Sequence, residues 1–114
     1  MWPIYTGDGV PKAFVNAPAA TTDTLVVAAV PGRKIRVHQV AVLNGSTATN
    51  VTFNSKPAGA GTAISPLMAE GANGGAVLNH SPVGWFDTNV GEGLSVTTGA
   101  GSVVGVIVAT TLVN

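Results

Sequence analysis

The sequence predicts an all-β protein, an antiparallel sandwich, jelly roll or barrel of eight or nine short strands. Three observations point to this class. Runs rich in Val, Ile, Leu and Thr, residue types that pack well in strands, recur at close spacing from residue 22 onward. The 15 Gly and 7 Pro lie mostly between these runs, where they form turns. No segment carries a helical apolar repeat longer than one turn.

The predicted strands follow one another from residue 22 to the C-terminal end. Pro31-Gly32 suits the two central positions of a tight turn, and Asn73-Gly74-Gly75 is the strongest turn signal in the chain. Pro66 predicts an edge strand, because proline cannot donate a ladder hydrogen bond. The predicted strands are residues 22–30, 35–44, 50–55, 63–69, 76–79, 84–88, 93–98 and 103–113.

The second predicted strand changes phase along its length. In a regular strand Ile35 and Val37 face one way, and Val40 and Val42 face the other. A β-bulge near His38 would return all four side chains to one face. The alternative is a strand that is buried on both faces.

We predict that residues 1–20 form an extended arm and that residues 21–114 form a β-sandwich domain. Three prolines and the Gly7-Asp8-Gly9 turn oppose both a helix and a central strand. Apolar side chains would anchor the arm, either on its own sheet or on a neighbouring subunit. These side chains are Trp2, Ile4, Tyr5, Phe14 and Val15.

Charged residues are scarce in this chain. Only 9% of the residues are Asp, Glu, Lys or Arg, against about 25% in an ordinary globular domain. The five acids balance the five bases, and a neutral surface promotes association. We therefore expect copies of this chain or a larger assembly to cover much of the surface. The absence of cysteine excludes disulfides and thiolate metal sites.

The stretch Gly84-Trp85-Phe86-Asp87-Thr88-Asn89-Val90-Gly91-Glu92-Gly93-Leu94 precedes a glycine turn at residues 99–101 and a terminal Val-rich strand. Another glycine turn, at residues 31–34, leads into a strand of alternating basic and apolar residues. Both features resemble small virion-associated proteins of tailed bacteriophages. The resemblance covers residues 22–110.

This resemblance implies a jelly-roll sandwich that acts as a capsid decoration, or cement, protein. Such proteins form trimers on the phage head and clamp adjacent major capsid subunits. We therefore predict a homotrimer on the capsid surface whose partners are itself and the major capsid protein. The N-terminus shows no secretory signal, so we expect synthesis in the host cytoplasm. A tail or fibre module that binds a cell-surface glycan is the alternative.

Candidate partner-binding residues come from the arm, from a basic cluster and from an aromatic pair. The arm would contact neighbouring protein. The basic cluster, which consists of Arg33, Lys34 and Arg36, would meet capsid carboxylates, and the alternative is that it is a solvated strand end. Trp85 and Phe86 point to opposite faces of a strand, so one fills the core and the other is free to anchor a partner or stack on a sugar. The candidates are Trp2, Ile4, Tyr5, Arg33, Lys34, Arg36 and Trp85.

We expect no enzymatic activity, cofactor or metal. The acidic residues occur one at a time, and neither His38 nor His80 has a second ligand at metal-binding spacing. Folding could still bring His80 and Asp87 together with Ser81 or Ser95 in a triad-like group.

We also expect neither nucleic-acid binding nor a membrane span. This chain has zero net charge, and its basic cluster, which His38 extends, is too small to form the positive surface that a nucleic-acid binder needs. The longest apolar run, residues 103–109, is much shorter than the roughly 20 residues that a membrane helix needs.

Overall fold

The computed structural model describes residues 12–99, 101 and 103–114, which form ten strands and no helix. None of these residues belongs to a helix with the length and apolarity needed to cross a membrane. The strands are β1 (Lys12–Ala17), β2 (Thr24–Val27), β3 (Lys34–Asn44), β4 (Thr49–Lys56), β5 (Thr62–Ala63), β6 (Met68–Glu70), β7 (Gly75–Leu78), β8 (Phe86–Asp87), β9 (Gly93–Thr98) and β10 (Val104–Val113).

The strands form two antiparallel sheets that pack as a sandwich. The first sheet has the order β1-β10-β3-β7, and β8 also pairs with β3. The second has the order β2-β9-β4-β5, and β6 also pairs with β4. β5 and β6 both pair with β4 and can be counted as one interrupted strand, and β7 and β8 both pair with β3 and can be counted as another. Counted in this way, the sandwich has eight strands. The first of these pairs with the eighth, the second with the seventh, the third with the sixth and the fourth with the fifth. This is the strand order of a jelly roll, so the predicted fold class is confirmed.

The core between the sheets is built mainly from valine. Phe53 of β4 is its largest buried side chain and packs against Phe86 with ring centroids 5.6 Å apart. β-branched side chains suit this position because they pack well on a pleated surface. The buried cluster consists of Ala17, Ile35, Val37, Val40, Val42, Val51, Phe53, Leu94, Val96, Val104, Val106 and Val108.

The predicted bulge in β3 is present. Gln39 pairs with Ala109 of β10 and Val37 pairs with Thr110, so His38 is the extra residue. Both apolar pairs of β3 therefore reach the same core, as the phase change predicted. The His38 ring is only 6% exposed, and its Nδ1 contacts the Ser81 carbonyl oxygen at 2.7 Å.

The predicted turns are also confirmed. The Arg33 N–H donates to the Val30 oxygen at 3.1 Å across Pro31-Gly32, and Gly32 adopts a φ of 75°, which glycine tolerates best. Asn73, with a φ of 56°, belongs to the turn that precedes β7. Pro66 lies between β5 and β6 at the edge of the second sheet.

The sandwich begins earlier in the chain than the sequence predicts. Residues 12–17 are extended, as expected, but they form the edge strand β1 of the first sheet. An edge strand tolerates the prolines that flank it, which a central strand would not. Val15 packs against the core, whereas Phe14 is 74% exposed. Residues 1–11 of the predicted arm, with Trp2, Ile4 and Tyr5, lie outside the described residues.

Candidate functional site

The segment that follows Gly84 is held against β3 by backbone geometry. Gly84 has a φ of 85°, and a Cβ at this position would lie 2.5 Å from the Cγ of Arg36. The position therefore requires glycine for two reasons: its backbone conformation is one that other residues rarely adopt, and a Cβ has no space beside Arg36. The next residue, Trp85, donates its backbone N–H to the Val37 oxygen at 2.7 Å. This hydrogen bond sets the start of β8 beside β3.

Two side chains of the same segment bind β3 directly. Asp87 forms a two-pronged ion pair with Arg36, whose Nε donates to Oδ1 at 2.9 Å and whose Nη2 donates to Oδ2 at 3.0 Å. The hydrogen bond and the charge of Asp87 raise the pKa of Arg36 above its ordinary value. The hydroxyl oxygen of buried Thr88 accepts the Ile35 N–H at 2.9 Å.

The end of the segment binds the second sheet. The fully buried Ser55 hydroxyl donates to Glu92 Oε1 at 2.6 Å and accepts the Asn89 N–H at 2.9 Å. The Gly91 N–H donates to the Arg33 oxygen at 2.8 Å. The Gly-Trp-Phe-x-Thr-x-x-Gly-Glu motif therefore acts as a clamp between the sheets. Its residues have structural roles in this chain.

The two rings of the aromatic pair point to opposite sides, as the sequence predicts. Phe86 packs on Phe53 in the core, and Trp85 is 49% exposed. The Trp85 indole N–H donates to the Asn79 oxygen at 2.7 Å, so its remaining free surface is the apolar ring. Trp85 and Phe86 line an apolar groove of about 250 Å³ at the edge of the sandwich. The other apolar side chains of this groove are Ile64, Pro66, Met68 and Leu78.

The predicted basic cluster does not form a continuous patch. His38 is only 6% exposed, and its Nε2 contacts the Thr111 hydroxyl at 2.8 Å. Arg36 is neutralised by Asp87, and Arg33 donates through Nη2 to the Leu112 oxygen at 3.1 Å. Lys34 begins β3 next to these side chains. The cluster is therefore largely engaged within the chain, because folding brings its partners from distant positions.

The residues of the possible triad-like group contact other partners. Asp87 binds Arg36, and the Ser95 hydroxyl donates to Asp23 Oδ1 at 3.0 Å. The His80 ring stacks on that of His38 with centroids 5.6 Å apart. Within residues 12–99, 101 and 103–114, no group of three or more His, Asp or Glu side chains is placed to hold a metal ion.

Exposed apolar side chains are the feature that sequence reasoning largely missed. Among the described residues, eleven large apolar side chains are at least 41% exposed. Of these, the sequence singled out only Trp85 as a candidate partner-binding residue and Phe14 as an anchor of the arm. Strand alternation was the available signal, since Ile107 lies between the buried Val106 and Val108. The eleven are Phe14, Leu25, Leu43, Leu67, Val77, Val83, Trp85, Val90, Val103, Ile107 and Leu112.

No protein-family model matches this chain, and no curated protein matches it either. Among solved structures, the chain is similar to the cryo-EM structure of the giant freshwater prawn Macrobrachium rosenbergii extra small virus VLP. The sequence identity is 15% and the TM-score is 0.39, over 97% of this chain and 82% of that chain. A likeness at this TM-score does not establish a shared function.

Proposed function

We propose that this protein is a structural protein of a virion, a decoration or cement protein that stabilises a tailed-bacteriophage head by bridging major capsid subunits. The observation that carries the proposal is the exposed apolar surface of a chain with only 9% charged residues. Covering apolar surface with protein contributes about 25 cal/mol per Å² removed from water. The resemblance of the 84–94 segment to small phage virion proteins supports the location on a phage particle.

The mechanism is burial of surface, without chemistry. The jelly roll supplies a rigid body, because the clamp at residues 84–92 ties its two sheets together. Copies associate as a homotrimer, which then contacts several capsid subunits. A standard interface buries about 1,600 Å², and a trimer repeats each contact three times. In this proposal Arg33 and Lys34 meet capsid carboxylates, and Arg36 contributes less because Asp87 already neutralises it.

The proposal is tested with phage heads that lack this protein. We expect the purified protein to have the native mass of a trimer by light scattering, to cosediment with such heads and to raise their thermal stability. Deletion of residues 1–10, which contain Trp2, Ile4 and Tyr5, should weaken head binding while circular dichroism and the melting temperature of the free protein stay unchanged. Failure to bind heads at any protein concentration would contradict the decoration role.

A second candidate function is glycan binding at the Trp85 groove. The half-exposed indole ring lines an apolar cavity, and its free ring face suits stacking on a sugar. A glycan array combined with tryptophan fluorescence titration tests this function. If a sugar quenches the tryptophan fluorescence of the parent but not that of Trp85→Phe, glycan binding is favoured over head decoration. Quenching that persists in this variant would assign the signal to Trp2.

A further inference from the structure

We propose that copies of this chain associate through the outer face of the first sheet. This inference deepens the proposed function and rests on its homotrimer, for which it names one side of the interface, because a three-fold assembly joins two different surfaces of each copy. The outer face is the side of β1, β10, β3 and β7 that points away from the core. The occupant of this face is a second copy of the chain.

One row of apolar side chains crosses all four strands of this face. Phe14 of β1 is opposite Ile107 of β10, Ile107 is opposite Ala41 of β3, and Ala41 is opposite Val77 of β7. Phe14 is 74% exposed, Val77 61% and Ile107 46%. We call these four residues the outer row. Side chains that are directly opposite on neighbouring strands touch one another, so the row is a continuous apolar strip.

The two sides of the outer row differ. On one side, Leu43 is opposite Gly105 and Gly75, is 58% exposed and is the only large apolar side chain, and Asn16 is opposite Gly105. On the other side, Ala109 is opposite Lys12 and Gln39 and is only 7% exposed. Lys12 and Gln39 line a cleft of about 120 Å³ together with Ile107 and Ala41. Long polar side chains therefore border the row on one side only.

Charge on this part of the face is low. Between the bulge at His38 and the end of the sheet at Leu43, the outward residues of the four strands include one charged side chain, Lys12 at the corner. A partner with an ordinary surface would have to place its own charges against this apolar area, which carries a desolvation cost. A second copy of a chain with 9% charged residues avoids most of that cost.

The size of the face sets how strongly a second copy can bind. Four strands spaced about 4.8 Å apart are roughly 19 Å wide. β1 pairs with six residues of β10, Val104–Ala109, so at about 3.3 Å each the four-stranded part of the face is roughly 20 Å long. This part therefore offers about 400 Å² per copy, or about 800 Å² when both partners are counted. This value lies below the range of about 1,200–2,000 Å² for stable interfaces, so we expect a reversible association that depends on protein concentration.

The test measures native mass by light scattering across a range of protein concentrations. The variants are Phe14→Lys and Ile107→Lys in the outer row. The matched control is Leu25→Lys, which changes a 50% exposed leucine on β2, an edge strand of the second sheet. We expect each outer-row variant to raise the dissociation constant of the oligomer at least about tenfold. The control should retain the parent mass.

Folding is checked separately, because a lysine in a strand could destabilise the monomer. Circular dichroism and the urea midpoint of each variant at low protein concentration should match those of Leu25→Lys. Should Ile107→Lys fail to fold, Ile107→Thr keeps the β-branched shape and tests the same contact.

Three results would overturn the inference, and each has a different consequence for the proposed function. If the parent is an oligomer that the outer-row variants do not weaken, the interface lies elsewhere and the homotrimer stands. If the parent is monomeric at every concentration, copies do not associate through this face, and head binding still tests decoration independently. If a monomeric parent binds heads and the outer-row variants do not, the face contacts capsid protein.

Discussion

The outer faces of the two sheets differ in chemistry although they belong to one sandwich. On the first sheet, the outer row presents exposed apolar side chains across four strands. On the second sheet, the outward side chains of the two central strands are polar apart from a glycine. They are Asn50, Thr52, Asn54 and Lys56 of β4, and Ser95 and Thr97 of β9 with Gly93.

The polar groups of the second face bind one another. Asn54 Nδ2 donates to the Thr97 hydroxyl at 2.9 Å, and the Ser95 hydroxyl donates to Asp23 Oδ1 at 3.0 Å. Asp23 also accepts the Gly61 N–H at 2.9 Å through Oδ2. These hydrogen bonds pair the polar side chains that the Asp23 and Gly61 loops cover. The second face therefore needs no partner molecule to complete its hydrogen bonds.

The contrast identifies which face is unusual. A half-buried antiparallel sheet ordinarily alternates apolar residues inward with polar residues outward. The central strands of the second sheet follow this rule, and its exposed Leu25 lies on the edge strand β2. The first sheet departs from the rule on all four strands, at Phe14, Ile107, Leu43 and Val77. The exposed apolar side chains therefore concentrate on the first face, which is the face of the proposed interface.

The largest effect on folding is expected from the core that both faces share. Phe53→Ala removes the largest fully buried side chain and its contact with Phe86, so we expect a loss of about 3–5 kcal/mol in the free energy of unfolding. Urea denaturation followed by circular dichroism measures it. A loss below about 1 kcal/mol would mean that the sheets do not depend on this contact.

A smaller effect is expected from the network of the second face. Asp23→Asn replaces an acceptor of two hydrogen bonds with a side chain that has one acceptor oxygen, leaving a donor of Ser95 or Gly61 unpaired. We expect a loss of about 1–3 kcal/mol in the free energy of unfolding, with unchanged native mass. A change in native mass would show that the second face also takes part in association.

The corresponding change on the first sheet should cost less stability. Asp87→Asn removes the ion pair with Arg36, whose two side chains are about one third exposed, 34% and 29%. Water and salt screen such a pair, so we expect a urea midpoint only slightly below that of the parent. The difference should shrink further at high salt. A loss as large as that of Asp23→Asn would contradict this ranking.

The smallest effect on folding is expected within the outer row itself. Val77→Thr keeps the β-branched shape at a position that is 61% exposed, so the free energy of unfolding of the monomer should stay within about 0.5 kcal/mol. Association should weaken, because a hydroxyl replaces a methyl group at the proposed interface. Analytical ultracentrifugation of the parent and the variant measures this. Tighter association in the variant would argue against an apolar contact there.

Local features of the fold were predictable where neighbouring residues decide them. Pro31-Gly32 forms the expected turn, since each residue already prefers the required φ. The phase change in β3 predicted the bulge at His38, because strand alternation has a fixed period of two. The split of Trp85 from Phe86 follows from the same alternation.

Other features depend on residues far apart in the chain. Arg36 looked like part of a basic patch until folding brought Asp87 to it, 51 residues later in the sequence. Residues 12–17 looked like part of an arm because nothing near them indicates that β10 is their partner. The outer row joins Phe14 to Ile107, and only the register of β1 against β10 makes them neighbours.

The sequence by itself determined that this protein is a small, charge-poor β-sandwich with defined turns and a valine core. These properties are local, since they depend on composition and on the period of two along each strand. The tertiary structure alone decided which strands are neighbours, which charges are paired and on which face the exposed apolar side chains gather. Strand pairing joins residues that are distant in the chain, and its register is set by how the two sheets bury their apolar faces together.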